Sequence, residues 1–327
     1  MTSNARGALT ALLAFGIFAT HDVVVKTLGA HYSAFQIVFF SVLFGFPMAM
    51  LMLIRDVQPG TLRPVHPWWT LGRTAAAVTT GVCAFYAFSV LPLAQTYAIL
   101  FSAPLLVTVF SIPILGEKVR LRRWTAVIIG LCGVMVVLRP GEAELGLGHL
   151  AALLAAISSS LASVIVRKIG REERSVVLLL YPMLAQFVVM GSALPFVYQP
   201  MPLPHLGLQA LMAIMAFAAA ALMIEAYRHG EAVIVAPMQY SQILWATFYG
   251  ALFFAEFPDM NTFVGATVVV GSGLYIVLRE GRVSATAPVL HTRSRFETGT
   301  FLRAGVLSRL RQRRRKGEAK RAPITPR

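Results

Sequence analysis

Charge is what this sequence has least of. Only 13% of its 327 residues are Asp, Glu, Lys or Arg, while 57% are hydrophobic. A soluble chain of this length carries about a quarter charged residues, so a water-soluble fold is excluded. Cysteine is nearly absent. Cys83 and Cys132 show no metal-ligand spacing, and both read as small, buried apolar side chains. No HExxH, CxxC or second histidine at helical spacing accompanies His21, so no metal site is expected. No GxxxxGKS/T loop occurs, which leaves the chain without direct ATP drive. Long polar stretches are missing before residue 280, and a folded soluble domain is excluded there.

What is present is hydrophobic length. Crossing a bilayer core takes about 20 apolar residues. Such stretches occupy 7–28, 33–54, 70–91, 94–115, 122–138, 146–167, 176–197, 205–227, 231–254 and 261–279. Ten spans predict an all-α integral membrane protein. The first span is too long for a cleavable signal and leads into no soluble domain, so it stays in the protein. Lys and Arg mark cytoplasmic loops. Alternate loops collect Arg6; Arg55, Arg63 and Arg73; Lys118, Arg120, Arg122 and Arg123; Arg167, Lys168, Arg171 and Arg174; and Arg228. The opposite set holds only Lys26 and Arg139. The expected placement is the cell inner (plasma) membrane, with both termini cytoplasmic.

Residues 86–141 and 227–281 are two versions of one unit. Glu117 aligns with Glu256 and Gly133 with Gly273, an offset of about 139 residues. The chain divides into a first half, 1–141 (spans 1–5), a second half, 142–281 (spans 6–10), and a basic tail, 282–327. Five spans per half force the halves into the membrane in opposite senses. Charge agrees: the LGEK turn at 115–118 sits among basic residues, whereas the matching AEF at 255–257 has none from Ala251 to Thr262. Inverted repeats are the usual architecture of secondary carriers, with the substrate site at the repeat interface.

Ionisable residues inside a span are costly and mark functional sites by default. His21-Asp22-x-x-x-Lys26 is the first such group. Asp22 and Lys26 stand one turn apart in the favourable acid-before-base order, and Lys26 is near enough to the outer end to reach the headgroups. Two readings stand side by side. In one, a local ion pair merely neutralises Asp22. In the other, Asp22 lines a cavity and sets charge selectivity or proton coupling. His21 is a packing histidine or a relay.

The second group is Pro237-Met238-Gln239-Tyr240-Ser241-Gln242-Ile243-Leu244-Trp245. Four consecutive polar residues encircle a helix, so some must face protein; bonds between helices are the structural alternative. Amides, a phenol and an indole suit a neutral or zwitterionic ligand with a planar part. Gln95, Tyr97 and Ser102, ahead of Pro104, are the counterpart in the first half. The expected substrate-binding set is Asp22, Gln95, Tyr97, Gln239, Tyr240, Gln242 and Trp245; Asp22, His21 and Lys26 form the coupling or charge-selectivity group. Gln36, Tyr86, Tyr181 and Gln186 are further lining candidates. Ala151, Ala155, Ser159 and Ser163 make a small-residue stripe for close helix packing.

The tail carries much of the net charge of +15. Because it follows directly on a span, anionic lipid headgroups are the expected partner rather than nucleic acid, at about 1 kcal/mol per basic residue near the surface. A solvated, disordered tail is the alternative. Residues 300–311, TFLRAGVLSRLR, have the composition of a short amphipathic surface helix.

The segment LFSAPLLVTVFSIPILGEKVRLRRWTAVIIGLCGVMVVLRPG (100–141) resembles the EamA-type repeat of the drug/metabolite transporter superfamily. So does APMQYSQILWATFYGALFFAEFPDMNTFVGATVVVGSGLYIVLREG (236–281). DVVVK at 22–26 is similar to the first-helix D-x-x-x-K of a metabolite-transporting branch. The resemblance implies ten transmembrane helices in two inverted five-helix repeats, with alternating access around a central cavity. It implies substrates of amino-acid, nucleotide-like or vitamin type, riboflavin and S-adenosylmethionine among them. Many relatives have Arg after the paired aromatics of the second helix, whereas here Phe39-Phe40 is followed by Ser41. The expected function is a secondary transporter of a small polar or aromatic metabolite, not an enzyme, without cofactor or metal, working as a monomer or homodimer. Two other readings are a membrane-embedded lipid-modifying enzyme, for which His21-Asp22 lacks partner groups, and a scaffold acting through the basic tail.

Overall fold

The computed structural model describes residues 3–55, 62–117, 119, 121–140, 145–170, 172–230 and 232–283. Its helices are α1 (Ser3–Gly29), α2 (Ala34–Arg55), α3 (Pro67–Val90), α4 (Leu93–Leu100), α5 (Ala103–Leu115), α6 (Leu121–Leu138), α7 (Leu147–Ile169), α8 (Ser175–Val197), α9 (Leu203–His229), α10 (Ala232–Val235), α11 (Ser241–Phe254) and α12 (Met260–Val283). Ala5–Gly29, Leu93–Leu115, Leu147–Ile169, Val176–Val197 and Leu203–Tyr227 are each long and apolar enough to cross a membrane, and three shorter apolar stretches accompany them. The protein is an all-α membrane protein. The basic tail, including 300–311, lies outside the described residues.

Two of the ten hydrophobic stretches are not continuous helices. The stretch at 94–115 breaks at Phe101–Ser102, where α5 begins with Pro at its first turn. A proline lacks the amide hydrogen and fits there without losing a helical bond. The stretch at 231–254 passes through a 3₁₀ turn, Ala236–Tyr240, that contains Pro237. Gln239 and Tyr240 therefore belong to this turn, and only Ser241 and Gln242 open the following α-helix. The four polar residues do not encircle one helix, because the proline ring displaces the preceding turn.

Small residues decide the packing between halves. α1 lies against α9, α7 against α3, and α6 against α12. Gly7 meets the backbone at Gly230 and Ala226, and Gly148 meets Val90 and Leu91. Gly133 approaches the backbone carbonyl of Gly265, where an added Cβ would lie 2.9 Å from that oxygen. The stripe on α7 packs as expected, with Ala151, Ala155 and Ser159 buried. In a bilayer such close backbone approach replaces the hydrophobic driving force that operates in water. Cys132, by contrast, is exposed.

Contacts along α3 fix the directions of α1 and α7. The C-terminal end of α1 reaches the end of α3, where Lys26 bonds the Leu91 carbonyl. The C-terminal end of α7 reaches the start of α3, where Lys168 sits over the Trp69 ring. α1 and α7, the first helices of the two halves, thus run in opposite senses, and their C-terminal ends lie roughly 30 Å apart at 1.5 Å per helical residue.

Candidate functional site

Asp22 is fully buried (0% exposed). A carboxylate out of water costs several kcal/mol unless donors compensate it. The Tyr97 hydroxyl donates to Asp22 Oδ2, and His21 Nδ1 lies 2.9 Å from Oδ1. The break before Pro104 keeps α4 short and sets Tyr97, also 0% exposed, beside α1. The Tyr97 ring stands edge-on to Phe88 at 5.2 Å and against Phe101 at 5.9 Å.

Lys26 does not neutralise Asp22. Its ammonium pairs with Glu256 Oε1 at 2.7 Å, donates to the Leu91 carbonyl at 2.6 Å, and lies 5.2 Å from the Phe254 ring centroid. The local pair is allowed by spacing, but Asp22 is already engaged by Tyr97 and His21. The C-terminal carbonyl of α3, left over by the helix pattern, and the Glu256 carboxylate offer Lys26 two acceptors together.

From Tyr97 the aromatic run continues through Phe101 to Tyr240, edge-on at 5.3 Å. Tyr240 fits because Gly273 on α12 has no side chain: a Cβ there would collide with the phenol oxygen. The Tyr240 hydroxyl, Ser241 Oγ and Gln242 Nε2 are buried without a hydrogen-bond partner. Gln242 is only 1% exposed. Each unmet buried donor or acceptor costs about 1–3 kcal/mol, so three in a row concentrate an unusual local cost at this turn.

Other expected residues face elsewhere. Gln95, about 200° around the helix from Tyr97, donates to His149 Nε2 on α7 at 3.1 Å. Trp245 stacks on Tyr249 at 5.8 Å and lies over Gly16 of α1; Thr20 donates to the Tyr249 hydroxyl at 3.0 Å. Gln239 is half-buried at the 3₁₀ turn. Gln36 is locked to the backbone of Gln199 by bonds of 2.6 and 2.9 Å, and Tyr181 donates to the Leu62 carbonyl at the surface. Both are structural.

On the His21 side lies a cavity of about 20 Å³, lined by His21, Ser41, Val42, Phe85, Met183 and Met212 among others. It has room for about one water. Ser41 donates to Gln209 Oε1 at 3.3 Å, and Gln209 Nε2 is buried without a partner. Gln186 donates to the Ala77 carbonyl at 3.1 Å, leaving its own oxygen unmet. Sequence reasoning missed Gln209 and the pairing of Glu256. A lone amide in the apolar run of α9 was the available signal for Gln209.

Two copies of one family model, the EamA-like transporter family, match this chain at residues 5–139 and 146–279. The chain belongs to the EamA-like transporter family. This EamA-like protein is 25% identical over 269 residues to the S-adenosylmethionine uptake transporter of Rickettsia bellii, covering 82% of the chain and 92% of that protein. It is 27% identical to the pseudopaline exporter CntI of Pseudomonas aeruginosa (81% and 93% covered) and 25% identical to a riboflavin transporter of Rhizobium johnstonii (84% and 92%). A solved crystal structure shares the fold, with a TM-score of 0.59 at 18% identity over 85% of this chain and 99% of that one. These relatives place the protein among the drug/metabolite transporters, as a carrier of small metabolites. The enzyme and scaffold readings are not favoured.

Proposed function

We propose that this EamA-like transporter moves a small metabolite carrying both a cationic centre and a planar ring, by alternating access between two inverted halves, 1–141 and 142–281. Asp22 carries the reading. Its charge is fully buried, held by Tyr97 and His21, and its sequence neighbour Lys26 is committed to Glu256. A carboxylate held this way in an apolar interior favours a positive group entering beside it. The unmet polar atoms of Tyr240, Ser241 and Gln242 supply hydrogen bonds, and Phe85, Phe101 and Tyr240 supply ring faces. S-adenosylmethionine, named for the Rickettsia relatives, fits this description better than riboflavin, which has no cationic centre.

The membrane is the cell inner membrane, with both termini cytoplasmic, and the basic tail attracts anionic headgroups there. The test is an untargeted metabolite profile of cells and medium for empty vector, wild type and Asp22→Asn at matched membrane expression. A cationic metabolite redistributed by wild type alone is the expected result. Redistribution that the variant reproduces in full would remove Asp22 from the site. Redistribution of an anionic compound would overturn the substrate class.

A further inference from the structure

The two halves carry matching ion pairs at opposite ends. Residues 23–29 read VVVKTLG and residues 164–170 read VIVRKIG, so Lys26 matches Arg167 and Gly29 matches Gly170. Their partners match as well. Glu256 pairs with Lys26 at 2.7 Å, and Glu117 pairs with Arg167 at 2.5 Å. Each carboxylate is presented by the same backbone device. The residue before it is left-handed, Ala255 at φ 53° and Gly116 at φ 71°. The glutamate amide then donates back to the helix it has left, to the Gly250 carbonyl at 2.9 Å and the Ser111 carbonyl at 3.4 Å. Each pair joins the first helix of one half to the end of the fourth span of the other, so neither can separate unless the halves move.

The neighbouring bonds also correspond. Lys26 holds the Leu91 carbonyl at the end of α3, and Glu256 Oε2 accepts from the Leu93 amide at 3.3 Å. At the other end Lys168 donates to the Ile114 carbonyl at 2.9 Å, one turn from Glu117, and covers Trp69 at the start of α3. The length of α3 separates the two sites. All four charged side chains are at most about one-third exposed, so their attraction is less screened than that of a surface pair.

We propose that Lys26–Glu256 and Glu117–Arg167 are positioning residues of transport, acting as symmetric latches at the two mouths that separate alternately. This rests on the alternating-access reading above. With both pairs formed, as here, the two halves are tied together at both ends. Breaking one pair favours opening at that end and leaves the other latched.

The test uses the full-length protein with Cys83 and Cys132 replaced by alanine and a reporter, Ser41→Cys, in the cavity. Labelling by a membrane-impermeant thiosulfonate is measured on whole cells and on inside-out vesicles. Glu256→Gln is expected to raise labelling from one face about tenfold relative to the other, and Glu117→Gln to shift the ratio the opposite way. The charge-reversed double variant Lys26→Glu/Glu256→Lys should move the ratio back toward its starting value, short of full restoration because the Leu91 carbonyl and Leu93 amide then face the wrong charges. A variant that had merely lost stability would not move it back. Shifts in the same direction, or no shift from either variant, overturn the proposal. Metabolite redistribution measured in the same strains separates the two ideas. Transport by the wild-type chain with an unmoved labelling ratio in both latch variants sinks the latches alone, whereas absence of transport by the wild-type chain sinks the carrier reading and, with it, the latches that rest on it.

Discussion

The broken helices of the two halves occupy matching positions but are finished differently. In the first half the polar side chains at the break have protein partners: Ser102 Oγ donates to the Ile99 carbonyl at 2.7 Å, the Gln95 amide nitrogen to His149, and Tyr97 to Asp22. In the second half the hydroxyl of Tyr240, Ser241 Oγ and Gln242 Nε2 are buried and unmet. Ser102 and Ser241 align at the repeat offset, as do Phe101 and Tyr240, whose rings touch. One break thus holds Asp22 through Tyr97, whereas the other leaves three buried polar atoms unmet, the atoms the proposed function gives to the ligand. Corresponding units of one repeat are finished differently once one of them carries the donors and the other the unmet demand.

The largest effect should come from denying the second break its space. Gly273→Ala drives a Cβ into Tyr240, and overpacking of this kind costs about 1–3 kcal/mol. A lower Tm and loss of transport are expected. Gly271→Ala, with nothing near the new methyl, should stay within about 0.5 kcal/mol of wild type; equal damage at both sites would disprove the steric account.

Gln242→Leu comes next. Removing an unmet buried amide should raise the Tm of the ligand-free protein, since an unsatisfied group costs about 1–3 kcal/mol. Transport at sub-saturating substrate should fall about tenfold, equivalent to about 1.4 kcal/mol of lost binding. A variant that is both less stable and fully active would show that Gln242 has a protein partner. Tyr240→Phe should act in the same direction but more weakly, a few-fold on uptake, because the ring contact with Phe101 survives. Ser102→Ala should do least: its bond is local, and both Tm and transport are expected to stay close to wild type. A large loss there would erase the distinction between the two breaks.

Much of the fold was legible, because hydrophobic length obeys a strong rule. The helices match the ten stretches within a few residues, and Pro104 and Pro237 flagged both breaks. Asp22 was legible as an ion too costly to be incidental, and Tyr240 and Gln242 as polar groups with nowhere to go. The partner of Lys26 was not. Helical spacing favours Asp22, and only the tertiary fold brings Glu256 to within 2.7 Å. Gln95 misled for a different reason: an amide says that a partner exists without saying on which side, and His149 supplied one on α7. Phe85, Met183 and Met212 gave no signal because an apolar residue lining a cavity looks, in sequence, like one facing lipid.

The pair between Lys26 and Glu256 also has a schedule. A ribosome adding about 5–20 residues per second finishes Lys26 roughly 10–50 s before Glu256 appears. Arg167 follows Glu117 by only 50 residues, so that end of the molecule can be fastened while later helices are still entering the bilayer. Until its own partner arrives, Lys26 must be accommodated at the membrane surface by its flexible stem. The α1 end thus closes later than the Arg167 end during assembly, and a chain interrupted before Glu256 would enter the membrane with its first helix still lacking the carboxylate that pairs with Lys26.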